Sequence, residues 1–211
     1  MNEILDILTA TGAIIDNNHF VLTSGKHSPR YINKDALYPH TKETARIGEL
    51  FAEKFKDVAI DVVVGPAFGG IILSQWTGYY LTKLKKQEVL SVYTEKTPDS
   101  NQIFRRGYDA VIKGKNVLVV EDLTSTGGSV KKVMVSIAGA GATVAAVGVM
   151  VNRNPQDVTT ETIGVPFYAL AELPTEIYDP ENCPLCKKGI PINITVGHGK
   201  KFLESRKNLP A

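Results

Sequence analysis

Cysteine, net charge and long apolar runs are all scarce in this chain of 211 residues. Its two cysteines exclude a disulfide framework, and a chain of this length buries a sizeable core without one. A net charge of +2 is too small for a dedicated nucleic-acid binder, whose basic residues dominate one face. The composition is that of a single globular domain over 1–211, with no nucleic acid among its partners.

The chain also lacks the marks of a membrane or secreted protein. No apolar run reaches the length of a transmembrane helix. The N-terminus carries Glu3 and Asp6 in place of the basic start and apolar core of a signal peptide. We therefore expect a cytoplasmic protein with no membrane partner.

The two cysteines are Cys183 and Cys186, in the sequence Cys-Pro-Leu-Cys. One such pair supplies half of the four ligands that a structural zinc site needs. His198 is a candidate third ligand, and a dimer would have to supply the rest. The expectation is therefore a plain turn with reduced thiols.

Strand-like and helix-like patterns alternate along most of the chain. Apolar runs predict strands over 58–64, 90–93, 117–120 and 143–151, and amphipathic spacing predicts helices over 2–11, 41–55, 71–84 and 130–138. After Asn152 the pattern breaks into short pieces rich in proline and glycine. Such alternation predicts an open, largely parallel α/β sheet, whose ligands gather at the carboxyl ends of the strands.

The stretch 117–129 is the most informative of these strand ends. Four apolar residues lead into Glu121 and Asp122, and a loop of hydroxyls and glycines from Thr124 to Ser129 follows. Such a loop offers N–H groups and hydroxyls to a phosphate at the positive end of a helix dipole. A sugar phosphate fits both parts, because its vicinal hydroxyls donate hydrogen bonds to carboxylates. The alternative is an ordinary strand-to-helix connection with solvated acids.

Three further segments follow predicted strands. Gly65–Gly70 is a glycine-rich turn that lets a ligand approach the backbone, unless it is only a tight connection. Residues 94–107 form a long polar loop with three cations, which predicts a lid over a polyphosphate or, alternatively, a solvated hairpin. Arg153 ends a strand, where its guanidinium can clamp a planar anion or form a surface salt bridge.

Together these residues resemble a known family. Residues 117–129 resemble the phosphoribosyl-diphosphate (PRPP) signature of type I phosphoribosyltransferases. The segment Phe20–Asn33, with Ser24-Gly25 and Ser28-Pro29, is similar to the amino-terminal orotate-pocket segment of orotate phosphoribosyltransferases. Gly65-Pro66-Ala67, the loop ending in Arg105-Arg106-Gly107, and Arg153 follow in matching order, so the resemblance covers nearly the whole chain.

The resemblance implies a fold and an activity. The fold would be that of type I phosphoribosyltransferases: a largely parallel central sheet flanked by helices over about 41–155, with a small hood from 1–40 and 156–211. The activity would be a glycosyltransferase reaction of pyrimidine (UMP) biosynthesis, in which PRPP and orotate give orotidine 5-phosphate and pyrophosphate. Mg²⁺ would be the cofactor, carried by PRPP and reached by Asp122 through water. The protein would be a homodimer.

The resemblance also implies roles for particular residues. The catalytic residues would be Lys96, Arg105, Arg106 and Asp122. PRPP would be bound by Ala67, Phe68, Gly69, Gly70, Glu121, Asp122, Thr124, Ser125, Thr126, Gly127, Gly128 and Ser129. Orotate would be bound by Tyr31, Ile32, Ser125 and Arg153. No side chain is expected to be a direct metal ligand.

Three positions depart from the family pattern. Many orotate enzymes have lysine at the positions of Thr23 and Gly69, and a histidine in the loop where this chain has Phe104-Arg105-Arg106. The identity of a general acid is therefore open. Two alternatives remain: a purine phosphoribosyltransferase, which shares the PRPP loops, and a PRPP-sensing regulator that has lost catalysis.

Overall fold

A computed structural model of the protein describes residues 2–207. Its helices are α1 (Glu3–Ala10), α2 (Lys34–Leu37), α3 (Thr41–Phe55), α4 (Gly69–Lys85), α5 (Tyr108–Ile112), α6 (Gly128–Gly139), α7 (Thr160–Ile163), α8 (Pro184–Lys187) and α9 (Gly199–Lys207). Its strands are β1 (Ile14–Ile15), β2 (Phe20–Val21), β3 (His27–Ser28), β4 (Tyr31–Ile32), β5 (Val62–Pro66), β6 (Leu90–Lys96), β7 (Gln102–Ile103), β8 (Asn116–Thr124), β9 (Thr143–Asn152) and β10 (Phe167–Glu172). Residues 1 and 208–211 of the predicted domain lie outside the described residues.

The described chain divides into two units. The first contains the residues up to Ile7 together with Tyr38–Pro174, and the second contains Leu8–Leu37 and the segment from Thr175 onward. The predicted division into a core over 41–155 and a hood from the two ends stays a prediction. None of the helices within residues 2–207 combines the length and apolar character that a membrane span requires.

A six-stranded sheet forms the centre of the first unit, in the order β10-β9-β8-β5-β6-β7. Every neighbouring pair is parallel except β6 and β7. All five residues of β5 are buried, as expected for a strand covered by helices, and α4 and α6 pack on β5 and β8 respectively. The predicted fold class, a largely parallel sheet flanked by helices, is confirmed.

The structure corrects the sequence prediction in three places. The first sheet strand is β5 at Val62–Pro66, not 58–64. Residues 94–107 do not form an irregular loop, because β6 continues to Lys96 and pairs with β7 in an antiparallel hairpin. Edge strand β10 was not predicted either; only Ala171 of its six residues is buried, and it lies among the short pieces rich in proline and glycine after Asn152.

The second unit is built from two distant parts of the sequence. Strand β1 pairs with β4, and β2 pairs with β3 in an antiparallel hairpin around the predicted Ser24-Gly25 turn. The C-terminal segment joins this hairpin through main-chain hydrogen bonds in both directions between His27 and Tyr178, each of 2.8 Å. The hairpin and the C-terminal segment are therefore one folded unit.

Helices α3 and α4 approach closely at a glycine. A Cβ atom added to Gly48 would lie 2.4 Å from Trp76 Cβ and 2.9 Å from the Trp76 main-chain carbon. Those distances are well inside van der Waals contact, and the neighbouring atoms belong to a helix backbone that cannot rotate away. Gly48 therefore sets the spacing between the two helices.

Gly48→Ala should lower the free energy of unfolding by about 1–3 kcal/mol, because the two helices must separate. Urea denaturation measures this change. The matched control is Gly139→Ala at the end of α6, where an added Cβ meets nothing within 4 Å. Alanine there should be neutral or stabilising, since glycine is the poorer helix former. Equal effects of the two substitutions would contradict the tight helix contact.

Candidate active site

The central sheet reverses its strand order between β5 and β8. From β5 the chain continues to β6 and β7 toward one edge, whereas from β8 it continues to β9 and β10 toward the other. In open α/β sheets the crevice at such a point, outside the carboxyl ends of the strands, is where ligands bind. The loops after β5 and β8 therefore form the candidate site.

Glu121 and Asp122 lie inside β8, three and two residues before its end, and are only 6% and 3% exposed. Consecutive strand residues project to opposite faces, and their hydrogen bonds follow that alternation. Ser129 Oγ donates to Glu121 Oε2 at 2.9 Å, whereas Tyr38 Oη donates to Asp122 Oδ2 at 3.0 Å. Both acids were expected where the strand ends, but β8 extends through Thr124 and buries both of them.

Asp122 is seated directly against the main chain of Gly69. A Cβ atom at Gly69 would lie 1.8 Å from Asp122 Oδ2 and 2.2 Å from Tyr38 Oη. No side chain larger than hydrogen fits there while the carboxylate holds this position. The glycine at the family's lysine position is therefore matched to the placement of Asp122 and Tyr38.

Hydroxyl groups organise the loop between β8 and α6. Thr124 Oγ1 accepts a hydrogen bond from Gly127 N at 3.1 Å, and Thr126 Oγ1 accepts one from Gly128 N at 3.3 Å. The Ser125 Oγ atom is buried and has no hydrogen-bond partner among the described residues. The loop thus leads into the N-terminus of a twelve-residue helix with one buried hydroxyl still to be satisfied.

Arg153 directly follows β9, as predicted. Its main-chain N–H donates to Thr124 O at 2.9 Å, which joins it to the start of the hydroxyl-rich loop. The preceding Asn152 is buried and donates from Nδ2 to Val158 O at 2.9 Å. Asn152 therefore orders the turn that carries Arg153.

The cations predicted to close over the site belong to the β6–β7 hairpin and the turn after it. Arg105 Nε lies 3.5 Å from Glu95 Oε2, and Arg106 Nη2 lies 3.1 Å from Glu95 Oε1. Tyr93 and Glu95 raise the pKa of the Arg106 guanidinium, which therefore stays charged. Lys96 is exposed at the end of β6. In this conformation the two arginines are paired within their own hairpin, the arrangement that the solvated-hairpin alternative described.

The remaining predicted residues fall into two groups. Ala67 and Phe68 lie between β5 and α4, where the Phe68 side chain is 85% exposed, and Gly70 lies in the first turn of α4. Tyr31 and Ile32 form β4 in the second unit, where Ile32 is 4% exposed. Tyr38 was not predicted. Its place beside Asp122 depends on tertiary contact, and no local motif marks it.

Comparison with known proteins bears on this arrangement. A model of the phosphoribosyl transferase domain matches residues 33–162. The orotate phosphoribosyltransferase of Thermotoga maritima is 40% identical over 198 residues, which span 94% of this chain and 100% of that relative. The solved orotate phosphoribosyltransferase of Mycobacterium tuberculosis has a TM-score of 0.64 at 20% identity, over 82% of this chain and 97% of that chain.

The fold alone does not identify the acceptor base, because a solved structure with a different name has a similar TM-score. The adenine phosphoribosyltransferase of Thermoanaerobacter pseudethanolicus has a TM-score of 0.61 at 17% identity, over 80% of this chain and 99% of that chain. At such low identities the structural likenesses bear on the fold and not on the acceptor base.

The protein is an enzyme of the phosphoribosyltransferase class, as shown by the matching domain together with the sheet and the two loops where its strand order reverses. The similarity to full-length relatives narrows this class further. The chain belongs to the orotate phosphoribosyltransferase family, which confirms the resemblance seen in its residues.

Gly69→Ala should displace the Asp122 carboxylate and weaken binding of PRPP at least about tenfold, because the added methyl group overlaps Oδ2. Isothermal titration with PRPP and Mg²⁺ measures the affinity. Gly139→Ala is the control, since it adds the same methyl group in open space. Unchanged affinity in Gly69→Ala would show that the seat of Asp122 against Gly69 has no role in binding.

Proposed function

We propose that this protein transfers the 5-phosphoribosyl group of PRPP to orotate, giving orotidine 5-phosphate and pyrophosphate in pyrimidine biosynthesis. PRPP is proposed as the donor because the buried pair Glu121 and Asp122 lies beside a hydroxyl-rich loop where the strand order of the sheet reverses. Orotate is proposed as the acceptor because relatives named orotate phosphoribosyltransferase match most of the chain.

The geometry supports a role for the two carboxylates in holding the ribose. Glu121 Oε2 and Asp122 Oδ2 each accept a hydrogen bond from a neutral hydroxyl, and a carboxylate oxygen can accept a second. The 2- and 3-hydroxyls of a ribose are donors of this kind, and hydrogen bonds to an ionised acceptor are the stronger ones. Ser129 and Tyr38 would then orient the carboxylates toward the sugar.

The loop from Thr124 to Ser129 would bind the 5-phosphate. Its main-chain N–H groups lead into α6, whose N-terminus carries partial positive charge. The buried Ser125 hydroxyl would gain a partner there, which removes the cost of leaving a buried polar atom unsatisfied. The pyrophosphate would lie along Ala67–Gly70, beside the exposed Phe68 at the start of α4.

Mg²⁺ fits the donor set of this site. Magnesium prefers oxygen ligands and usually keeps several waters, so a buried carboxylate such as Asp122 would hold it through water while the phosphates of PRPP bind it directly. When bound, the ion neutralises charge that develops on the departing pyrophosphate. No protein side chain is assigned as a direct ligand.

The reaction would be a substitution at the anomeric carbon. A ring nitrogen of orotate forms the new bond to that carbon as the bond to the pyrophosphate oxygen breaks, through an oxocarbenium-like state. The proton on the attacking nitrogen leaves to water or to the departing pyrophosphate, so the site needs no dedicated strong base. The chief task of Lys96, Arg105 and Arg106 is to stabilise the negative charge that leaves with pyrophosphate.

Ser125 and Arg153 of the first unit would contact orotate, and the roles of Tyr31 and Ile32 stay predictions from the sequence. A guanidinium forms paired hydrogen bonds to a planar carboxylate, a group that orotate has and adenine and guanine lack. Arg153 therefore favours orotate over the purine alternative.

We further propose a homodimer in the cytoplasm. The exposed Tyr79 and Leu84 on α4 are apolar side chains that a second copy would cover.

The acceptor is tested by mixing the protein with PRPP, Mg²⁺ and one base at a time, and measuring pyrophosphate release. Orotate should support turnover, whereas uracil, adenine, guanine and xanthine should not. Release with adenine or guanine would favour the purine enzyme. PRPP binding without release for any base would favour the regulator.

Arg106→Ala should lower kcat about 100- to 1,000-fold and change PRPP affinity much less, because its charge acts mainly on the leaving group. Steady-state kinetics and titration with PRPP separate the two effects. Glu95→Gln is the matched control: it removes the partner of Arg106 within the hairpin and keeps both arginines. If kcat is unchanged in Arg106→Ala, the arginine serves only the hairpin.

A further inference from the structure

Two histidines and two cysteines, none of which is assigned a role above, converge in the second unit. The ligand atoms of His19, His27, Cys183 and Cys186 all lie within 4.8 Å of one another. His19, His27 and Cys183 are buried, at 1%, 0% and 0% exposure, and Cys186 lies at the surface. Two imidazoles and two thiols are a common ligand set for structural zinc.

The distances in this cluster match a tetrahedral site. In a tetrahedron with ordinary zinc bond lengths, a sulfur and a nitrogen ligand lie about 3.6 Å apart. Here Cys183 Sγ and Cys186 Sγ each lie 3.7 Å from His19 Nε2, and Cys186 Sγ lies 3.4 Å from His27 Nδ1. The two ring nitrogens are 2.8 Å apart, so they would have to separate by about half an ångström around an ion.

The other ring nitrogen of His19 is held in the manner typical of a metal ligand. His19 Nδ1 lies 2.7 Å from the main-chain oxygen of Ile190, to which it donates its proton. That hydrogen bond fixes the tautomer and leaves the lone pair on Nε2, the atom that faces both thiols. The main-chain oxygen of His19 also accepts a hydrogen bond from Asn193 N at 2.8 Å, which fixes the backbone that carries the ring.

Local structure explains how the four side chains are presented. His19 directly precedes β2 and His27 lies in β3, so the β2–β3 hairpin supplies both imidazoles. Cys183 caps α8 and Cys186 lies in its single turn, which Pro184 begins. One turn of helix places the two sulfurs on the same side. The ligands therefore come in pairs from two rigid elements that are more than 150 residues apart in sequence.

We propose that His19 Nε2, His27 Nδ1, Cys183 Sγ and Cys186 Sγ bind one Zn²⁺ ion, which ties the C-terminal segment to the β2–β3 hairpin. All four positions of the tetrahedron are filled by protein, so the ion is structural and not catalytic. His198, the third ligand considered from sequence, lies elsewhere: its Nε2 is 3.0 Å from Thr23 Oγ1.

The second unit has a physical need for such a link. It is small, and its two parts are separated by most of the first unit in the sequence, so closing them together costs conformational entropy. A metal that binds only the folded arrangement adds its binding free energy to folding. Small units with limited cores commonly rely on a metal for this reason.

The first test is the metal content of the full-length protein. After reconstitution with zinc under reducing conditions and removal of unbound metal, elemental analysis should find about one zinc per chain. Replacement by Co²⁺ should give the intense visible absorption of tetrahedral cobalt with thiolate ligands. Removal of zinc by a chelator should lower Tm by roughly 10 °C, reversed when zinc is restored.

Single substitutions then test the ligand set. Cys186→Ser is the most informative because this residue is exposed, so its loss should disturb packing least. It should lower zinc affinity at least about 100-fold and reduce the thiolate-to-cobalt absorption by about half, because only the Cys183 thiolate remains. His198→Gln is the matched control, a histidine of the same unit outside the cluster, and it should retain one zinc per chain.

Three outcomes would overturn the proposal. The first is a wild-type protein that stays metal-free after reconstitution, since this measurement does not depend on any variant folding. The second is a Cys186→Ser protein that keeps zinc with native affinity. The third is a mass two units below that of the reduced chain together with no zinc, which would identify a Cys183–Cys186 disulfide.

Discussion

The parallel pairing of β8 with β5 on one side and β9 on the other is the constraint on which the candidate site depends. Val64 lies opposite Val119, and Thr124 lies opposite Asn152, so the loops that follow these three strands open at one edge of the sheet. The strands are buried and rich in valine, which makes a slip in register costly. The sheet therefore holds the loops of the candidate site in place.

Within this site, the buried Asp122 carboxylate determines which side chains fit beside it. A buried carboxylate must be hydrogen-bonded, and Tyr38 supplies a donor at 3.0 Å. The same carboxylate occupies the space that a side chain at position 69 would need. The absence of the lysine found in many orotate enzymes is therefore linked to the packing of this acid.

Much of the fold could be predicted because its signals are local. The helix at Thr41–Phe55 was predicted at its observed ends, since its apolar residues repeat with helical spacing. The β8–α6 loop was recognisable because hydroxyls and glycines follow an apolar run. The β6–β7 hairpin was predicted only as the alternative to a lid, because its strand is continued by polar residues. These are stabilised by contacts such as the hydrogen bond from Thr94 Oγ1 to Gln102 Oε1 at 2.8 Å. Edge strand β10 was not predicted because it lies among short pieces rich in proline and glycine, and only one of its residues is buried.

By itself, the sequence determined that the chain has a PRPP-type loop, a parallel sheet and a half-site of two cysteines, because each of these depends on residues that are neighbours along the chain. Only the tertiary structure decided that Tyr38 meets Asp122 and that His19 and His27 meet Cys183 and Cys186. These contacts join residues 84 to 167 positions apart. Such proximity arises from strand order and packing of the whole chain, so no spacing of residues within one segment encodes it.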